Sequence, residues 1–119
     1  FIAHDGLLIS TPEYNGFFSG AFKNTIDWLS RPVEGFPPYE CFDGKIAGLI
    51  AASPGSLGGV RALPHVRQQL SNVKVHVVPE QFGLSSASQA FDDENNLRDD
   101  KKLSALESVC KKLVEFTKR

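Results

Sequence analysis

At 119 residues the chain has room for one domain with a real core and too little for two. Its formal charge of −1 excludes electrostatic recruitment to nucleic acid or to an anionic membrane, and 41% hydrophobic with 23% charged residues is the balance of a soluble globular fold. No apolar run approaches the roughly 18 residues of a spanning helix, and Cys41 and Cys110 form neither a CxxC pair nor a disulfide-dense pattern, so a reducing compartment is expected.

In chain order, residues 1–5 read as the tail of a helix running into a strand. A chain that opens on Phe1 and holds no methionine is expected either to have lost a signal or transit segment or, as residues 1–5 favour, to be the later part of a longer protein. The first strand covers 6–11, too apolar for one wet face and therefore expected to be covered on both; Pro12 ends it. A helix over 20–30 places Phe22, Ile26 and Leu29 on one stripe and pairs Lys23 with Asp27 on another face. Residues 31–44, RPVEGFPPYECFDG, have no period and read as an irregular loop.

The second strand is 45–52, KIAGLIAA, followed by the loop SPGSLGG over 53–59. The next helix runs to about 71 with Leu63, Val66 and Leu70 inward, and tolerates Pro64 only in its first turn, where no N–H partner is lost. A third strand over 74–78 is expected to break at Pro79 and to resume over 81–84. Residues 85–98 read as a polar surface excursion. The last helix begins near Asp99 and Asp100, acids suited to its positive end, and runs to about 118, with Leu103, Leu106, Cys110 or Val109, Leu113 and Phe116 as its buried stripe.

Short apolar strands alternating with helices predict a parallel sheet with crossover helices. The loops at 11–16 and 53–59 each follow a strand and precede a helix, so both belong at the carboxyl edge of that sheet, where open α/β sheets bind ligands. Gly16, Gly55, Gly58 and Gly59 let a backbone approach a ligand closely, Tyr14 offers a stacking face, and Asn15 offers a donor and an acceptor. Singly, Asn15-Gly16 is a turn and SPGSLGG a connector; jointly they point to a flat, acceptor-rich ligand. Arg61 faces an anion, a neighbouring subunit or solvent. Phe36, Tyr39 and Phe42 wall a pocket or pack at an interface between subunits.

Other chemistries fail on spacing. His4, His65 and His76 make no HxH or HExxH arrangement, so no metal site is expected. Ser56 lacks the glycine two residues before it that a nucleophile elbow needs. SPGSLGG also lacks the lysine of a phosphate-binding P-loop.

TPEYNG, then KNTIDWLS, then FDGKIAGLIAASPGSLGGVRA, in this order and spacing, resemble the NADPH-dependent FMN reductase family of flavodoxin-like quinone, azo-dye and metal-ion reductases. The resemblance implies an α/β, flavodoxin-like, three-layer doubly wound parallel sheet with FMN at its switch point. On it, the strand at 6–11 is the family's third. The first two strands, their helices and the Gly-Ser-x-Arg-like phosphate loop would then be lacking, with residues 1–119 as the C-terminal part of a single domain.

Thr11, Pro12, Glu13, Tyr14, Asn15 and Gly16 match the loop lining the isoalloxazine and ribityl portion, and Ser53, Pro54, Gly55, Gly58 and Gly59 match the loop over the ring's other polar edge. Arg61 is carried with them as a contact to an NADPH phosphate. At Phe17-Phe18-Ser19-Gly20, where relatives often carry proline before the glycine, Ser19 still serves as a helix cap.

The implied activity is two-electron reduction of quinone-like or other small acceptors by NADPH or NADH, in ping-pong hydride transfer through flavin N5, with no dedicated catalytic side chain and no metal. A cytoplasmic homodimer or homotetramer, binding neither nucleic acid nor membrane, completes the expectation. The alternatives are a flavodoxin-type electron carrier without NADPH turnover and a cofactor-free remnant acting as a structural partner.

Overall fold

The computed structural model describes residues 1–118. Three parallel strands, β1 (Gly6–Pro12), β2 (Ile46–Ala52) and β3 (His76–Leu84), form one sheet in the order β1-β2-β3. Helix α1 (Gly20–Leu29) joins the first pair, α2 (Ala62–Asn72) the second, and α3 (Asp100–Thr117) follows β3 after a short 3-10 turn at Ala87–Gln89. This is the α/β alternation expected from the sequence.

The apolar character of β2 follows from burial on both faces, whereas β1, expected to be covered on both, leaves Leu8 48% exposed because it is an edge strand. On one face Ala47, Leu49 and Ala51 of β2 pack with Ile26 of α1, with Leu63, Val66 and Leu70 of α2, and with Leu7 and Ile9 of β1. On the other, Phe82 and Leu84 of β3 join Val109 of α3, with Ile50 and Leu106 around them. Gly48 lets α3 lie close, since a Cβ there would stand 3.1 Å from Val109 Cγ1.

Helix ends are set by the expected residues. Ser19 accepts from the N–H of Phe22 at the start of α1, and Asp99 accepts from Lys101 and Lys102 at the start of α3. Phe22 and Leu29 flank buried Ile26, and Lys23 pairs with Asp27 at 2.6 Å on the outer face. Pro64 lies in the first turn of α2.

Several expectations change. Residues 1–5 form a turn, closed by the His4 N–H on the Phe1 carbonyl. Buried Lys45 fastens this segment by donating to the carbonyl oxygens of His4 at 2.6 Å and Ile2 at 3.3 Å. β3 does not break at Pro79. The pairs Val77↔Ala47 and Gln81↔Leu49 show that three residues of β3 stand opposite Gly48, a bulge that leaves Pro79 exposed on an edge strand.

Arg67 of α2 fixes the bulge by donating to the carbonyls of Val77 and Pro79 and to Gln81 Oε1. In α3 Val109 takes the core position, whereas Leu103 is exposed. The 31–44 loop is irregular, but Phe42 lines neither a pocket nor an interface: it is fully buried in the first core cluster, edge-on to Phe1. The excursion at 85–98 sends Ala87, Ala90 and Leu97 onto the second cluster.

Candidate functional site

The register places the site. Pro12 pairs with Ala52 and Ala52 with Leu84, so all three strands end side by side and release their loops at one edge. That is the carboxyl edge, where the starts of α1 and α2 also lie.

The first loop is a hairpin turn. Tyr14 and Phe17 exchange N–H···O bonds of 2.9 and 3.1 Å, and the two residues between them, Asn15 (φ 54°) and Gly16 (φ 80°), are left-handed. Positive φ at both central positions defines a type I′ turn, for which Asn-Gly is the favoured dipeptide. The turn reading of Asn15-Gly16 is therefore correct locally, and it presents Tyr14 (62% exposed) and Asn15 outward.

Behind them the neighbouring aromatics part company. Phe18 is buried against Phe22, while Phe17 lies over the His65 ring of α2 at 4.3 Å. Thr11, at the end of the buried strand, donates its hydroxyl to the Pro12 carbonyl at 2.9 Å.

The second loop is knitted to the end of β3. Ser53 N–H donates to the Leu84 carbonyl, Ala87 N–H to the Ser53 carbonyl, and Ser86 and Gly58 N–H groups both reach the Gly55 carbonyl. Ser53 Oγ accepts from the Gly55 N–H at 3.2 Å. A Cβ on Gly58 would meet Ser85 N at 2.7 Å and the Gly83 carbonyl oxygen at 2.8 Å, and one on Gly59 would meet Ala51 Cβ at 2.9 Å. These two glycines allow the chain to pack on itself. Pro54, Gly55 and Ser56 stay exposed.

The two loops meet through a charge pair. Glu13, whose side chain is 6% exposed, takes the backbone N–H of Arg61 on Oε2 at 3.1 Å and the Arg61 Nε on Oε1 at 2.6 Å. Nη2 of the same guanidinium also pairs with Oε1. Arg61 precedes α2 directly, so a carboxylate from the first loop sits on the helix start that follows the second.

Sequence reasoning placed both residues at the site and missed that they bind each other. It also missed His65, although Arg61 and His65 are four apart and share a helix face. Gly83 was missed too, despite being a glycine at the end of an apolar strand, the usual mark of a close backbone approach. Among the described residues, no acceptor takes the N–H of Asn15, Gly16, Ser56 or Leu57. The edge thus offers free amide donors, an exposed tyrosine face and exposed Leu57 and Val60.

A family profile described as NADPH-dependent FMN reductase matches residues 1–89. The chain belongs to this family. It is 41% identical over 119 residues to an NAD(P)H-dependent FMN reductase of Pseudomonas aeruginosa, covering 98% of this chain and 61% of that protein. It is 34% identical over 120 residues to a probable NADPH:quinone oxidoreductase of Oryza sativa, with 98% and 56% covered.

The solved structure of FerB, a flavoenzyme NAD(P)H:(acceptor) oxidoreductase from Paracoccus denitrificans, superposes with a TM-score of 0.82 at 28% identity. That match covers 98% of this chain and 63% of FerB, and it supports the flavodoxin-like assignment of the fold. The chain therefore spans about three fifths of the length of these relatives. No described helix is long and apolar enough to cross a membrane, and the described residues hold no cluster of three metal-ligating side chains.

Proposed function

We propose that the protein is an FMN-dependent NAD(P)H oxidoreductase that reduces quinone-like or other small acceptors by two electrons. The observation that carries this reading is the meeting of two strand-end loops at the carboxyl edge of a parallel sheet, joined through Glu13 and Arg61. The donor set fits the ring end of FMN. A flat heterocycle has two apolar faces and an acceptor-rich rim, and the edge supplies an exposed tyrosine, aliphatic side chains and unpaired amides.

Bound FMN would supply reversible two-electron uptake and release. The chain's own part is to bind and orient. Tyr14 provides a stacking face, the Asn15 amide and the Asn15, Gly16, Ser56 and Leu57 N–H groups provide donors for the rim, and Pro12, Pro54 and Gly55 shape the rest of the edge. Donors aimed at an oxygen or nitrogen that gains charge on reduction favour the reduced form. Thr11, Ser53, Gly58 and Gly59 hold the loops from behind. No side chain is assigned as an acid or base.

Residues 1–119 are proposed as the C-terminal part of one flavodoxin-like domain. β1 is an edge strand with Leu8 half exposed, which suits further cover on that side. A homodimer or homotetramer is proposed from the exposed Trp28, Val33 and Phe36 on α1 and the loop after it. The two free thiols, Cys41 and Cys110, suit a cytoplasmic setting.

The test is absorbance and turnover of the whole protein. Flavin bands after titration with FMN, and steady NADPH oxidation once a quinone is added, are expected. Flavin bands without NADPH turnover would replace the enzyme with an electron carrier, and no FMN uptake at all would overturn the reading.

A further inference from the structure

Glu13 and Phe17 flank the three outward residues of the hairpin turn, and both dock on α2. Glu13 holds Arg61, and Phe17 lies over His65 at 4.3 Å. Arg61 and His65 are one helical turn apart, so α2 receives the turn at two points on one face. The bridge at the first point joins residues 48 apart in sequence.

Glu13 is unsuited to touching a ligand itself. Its side chain is 6% exposed, Oε1 already serves Nε and Nη2, and Oε2 serves a backbone N–H. The outward groups are its neighbours, Tyr14 and Asn15.

We infer that Glu13 is a positioning residue: with Arg61, and with Phe17 on His65, it mounts the Tyr14–Phe17 turn on α2 so that the turn and the second loop hold a fixed spacing. This rests on the FMN reading of the edge. A loop placed in advance binds more tightly than one that must be ordered by its ligand, and small displacements of a positioning group carry large penalties. The pair is lopsided in a useful way. Arg61 is 60% exposed, so without Glu13 its guanidinium turns to water, and the fold should survive the change.

The experiment is a cycle of Glu13→Ala, Arg61→Ala and the double variant in the whole protein, read by FMN titration and by amide hydrogen exchange without FMN. Glu13→Ala should weaken FMN binding by about tenfold or more. It should also speed exchange of the Tyr14 and Phe17 amides, which bond each other in the turn, while amides of β2 keep their protection. Because one clamp is being removed, the double variant should bind FMN no worse than the weaker single variant. Glu13→Gln, which keeps the shape and an acceptor for the Arg61 N–H, should recover part of the affinity, a rescue that a mere loss of folding would not show.

Unchanged FMN affinity in Glu13→Ala beside a wild type that binds FMN would overturn the inference alone. Additive losses in the double variant would do the same, since they would mark two independent contacts. A wild type that takes up no FMN would overturn the functional reading and the inference with it; the exchange data would then show only whether the mount exists.

Discussion

The turn at 14–17 and the loop at 53–59 leave adjacent strands at the same edge, and both contain glycines with positive φ, yet they are held by different physics. The second is held by closeness: Gly58 and Gly59 lie so near Gly83, Ser85 and Ala51 that no side chain fits. The first is held by charge and by one ring contact, through Glu13 on Arg61 and Phe17 on His65. Gly16 has positive φ with open space, where an added Cβ would find only Arg61 Cζ at 4.0 Å. Glycine therefore answers a backbone need in the first loop, and a backbone need together with a packing need in the second.

The sharpest way to break this contrast is to add one methyl group to each loop. Gly58→Ala combines a left-handed backbone with contacts below 3.0 Å to main-chain atoms, which cannot swing aside. It should cost about 3 kcal/mol or more of stability. Gly16→Ala meets only the backbone penalty and should cost about 1 kcal/mol. Urea unfolding of the two variants checks this, and equal losses would mean that the second loop is not closely packed.

Much of this was legible in the sequence because it rests on local chemistry. Ser19 and Asp99 cap their helices through side-chain oxygens two or three residues from the N–H groups they take, and Asn15-Gly16 makes a turn that its own φ angles demand. The parallel sheet and the loop placement followed from apolar runs alternating with helices.

What was hidden depends on partners distant in the chain. Pro79 read as a strand break because nothing nearby in sequence shows that Arg67 holds the bulge around it. Phe42 read as a loop aromatic because its core neighbours come from other elements. Leu103, expected in the buried stripe of α3, is exposed, and of the alternatives Cys110 and Val109 it is Val109 that meets the sheet over Gly48, a choice that periodicity alone does not fix. Glu13 and Arg61 were both found at the site, and their bond to each other was not, for the same reason.

A smaller effect sharpens the charge side of the contrast. Arg61→Ala would strand the nearly buried Glu13 carboxylate with only a backbone N–H as donor, whereas Glu13→Ala leaves an arginine that can hydrate. After discounting for the exposure of Arg61, the first should cost about 2 kcal/mol and the second less. Thermal unfolding of the cofactor-free variants measures the difference. A larger loss for Glu13→Ala would show that the carboxylate, not its burial, sets the cost.

The smallest effect belongs to a third loop at this edge, and it separates charge-built turns from closely packed ones by pH. Asp92 Oδ1 accepts from the N–H groups of Glu94 at 2.9 Å and Asn96 at 2.8 Å, closing the turn between Phe91 and Leu97. The Asn96 N–H is the main cause that holds the Asp92 carboxyl below the usual aspartate range, opposed by desolvation and aided by the Glu94 N–H, the Asn96 side chain and Arg98. A carboxyl whose pKa is lowered by folding stabilises the turn fully above its unfolded value, about 3.9. That contribution is lost as pH falls through the lower folded value.

Asp92 is exposed to screening by water, so the change should appear in the turn and scarcely in global unfolding. Carboxyl titration by NMR should place its midpoint below about 3.9, and the Glu94 and Asn96 amide resonances should move with it. Resonances of Gly58 and Gly59, packed against Gly83, Ser85 and Ala51, should stay still over the same pH range. If they moved in step with Asp92, the second loop would depend on charge after all, and the distinction between the two kinds of loop would fall.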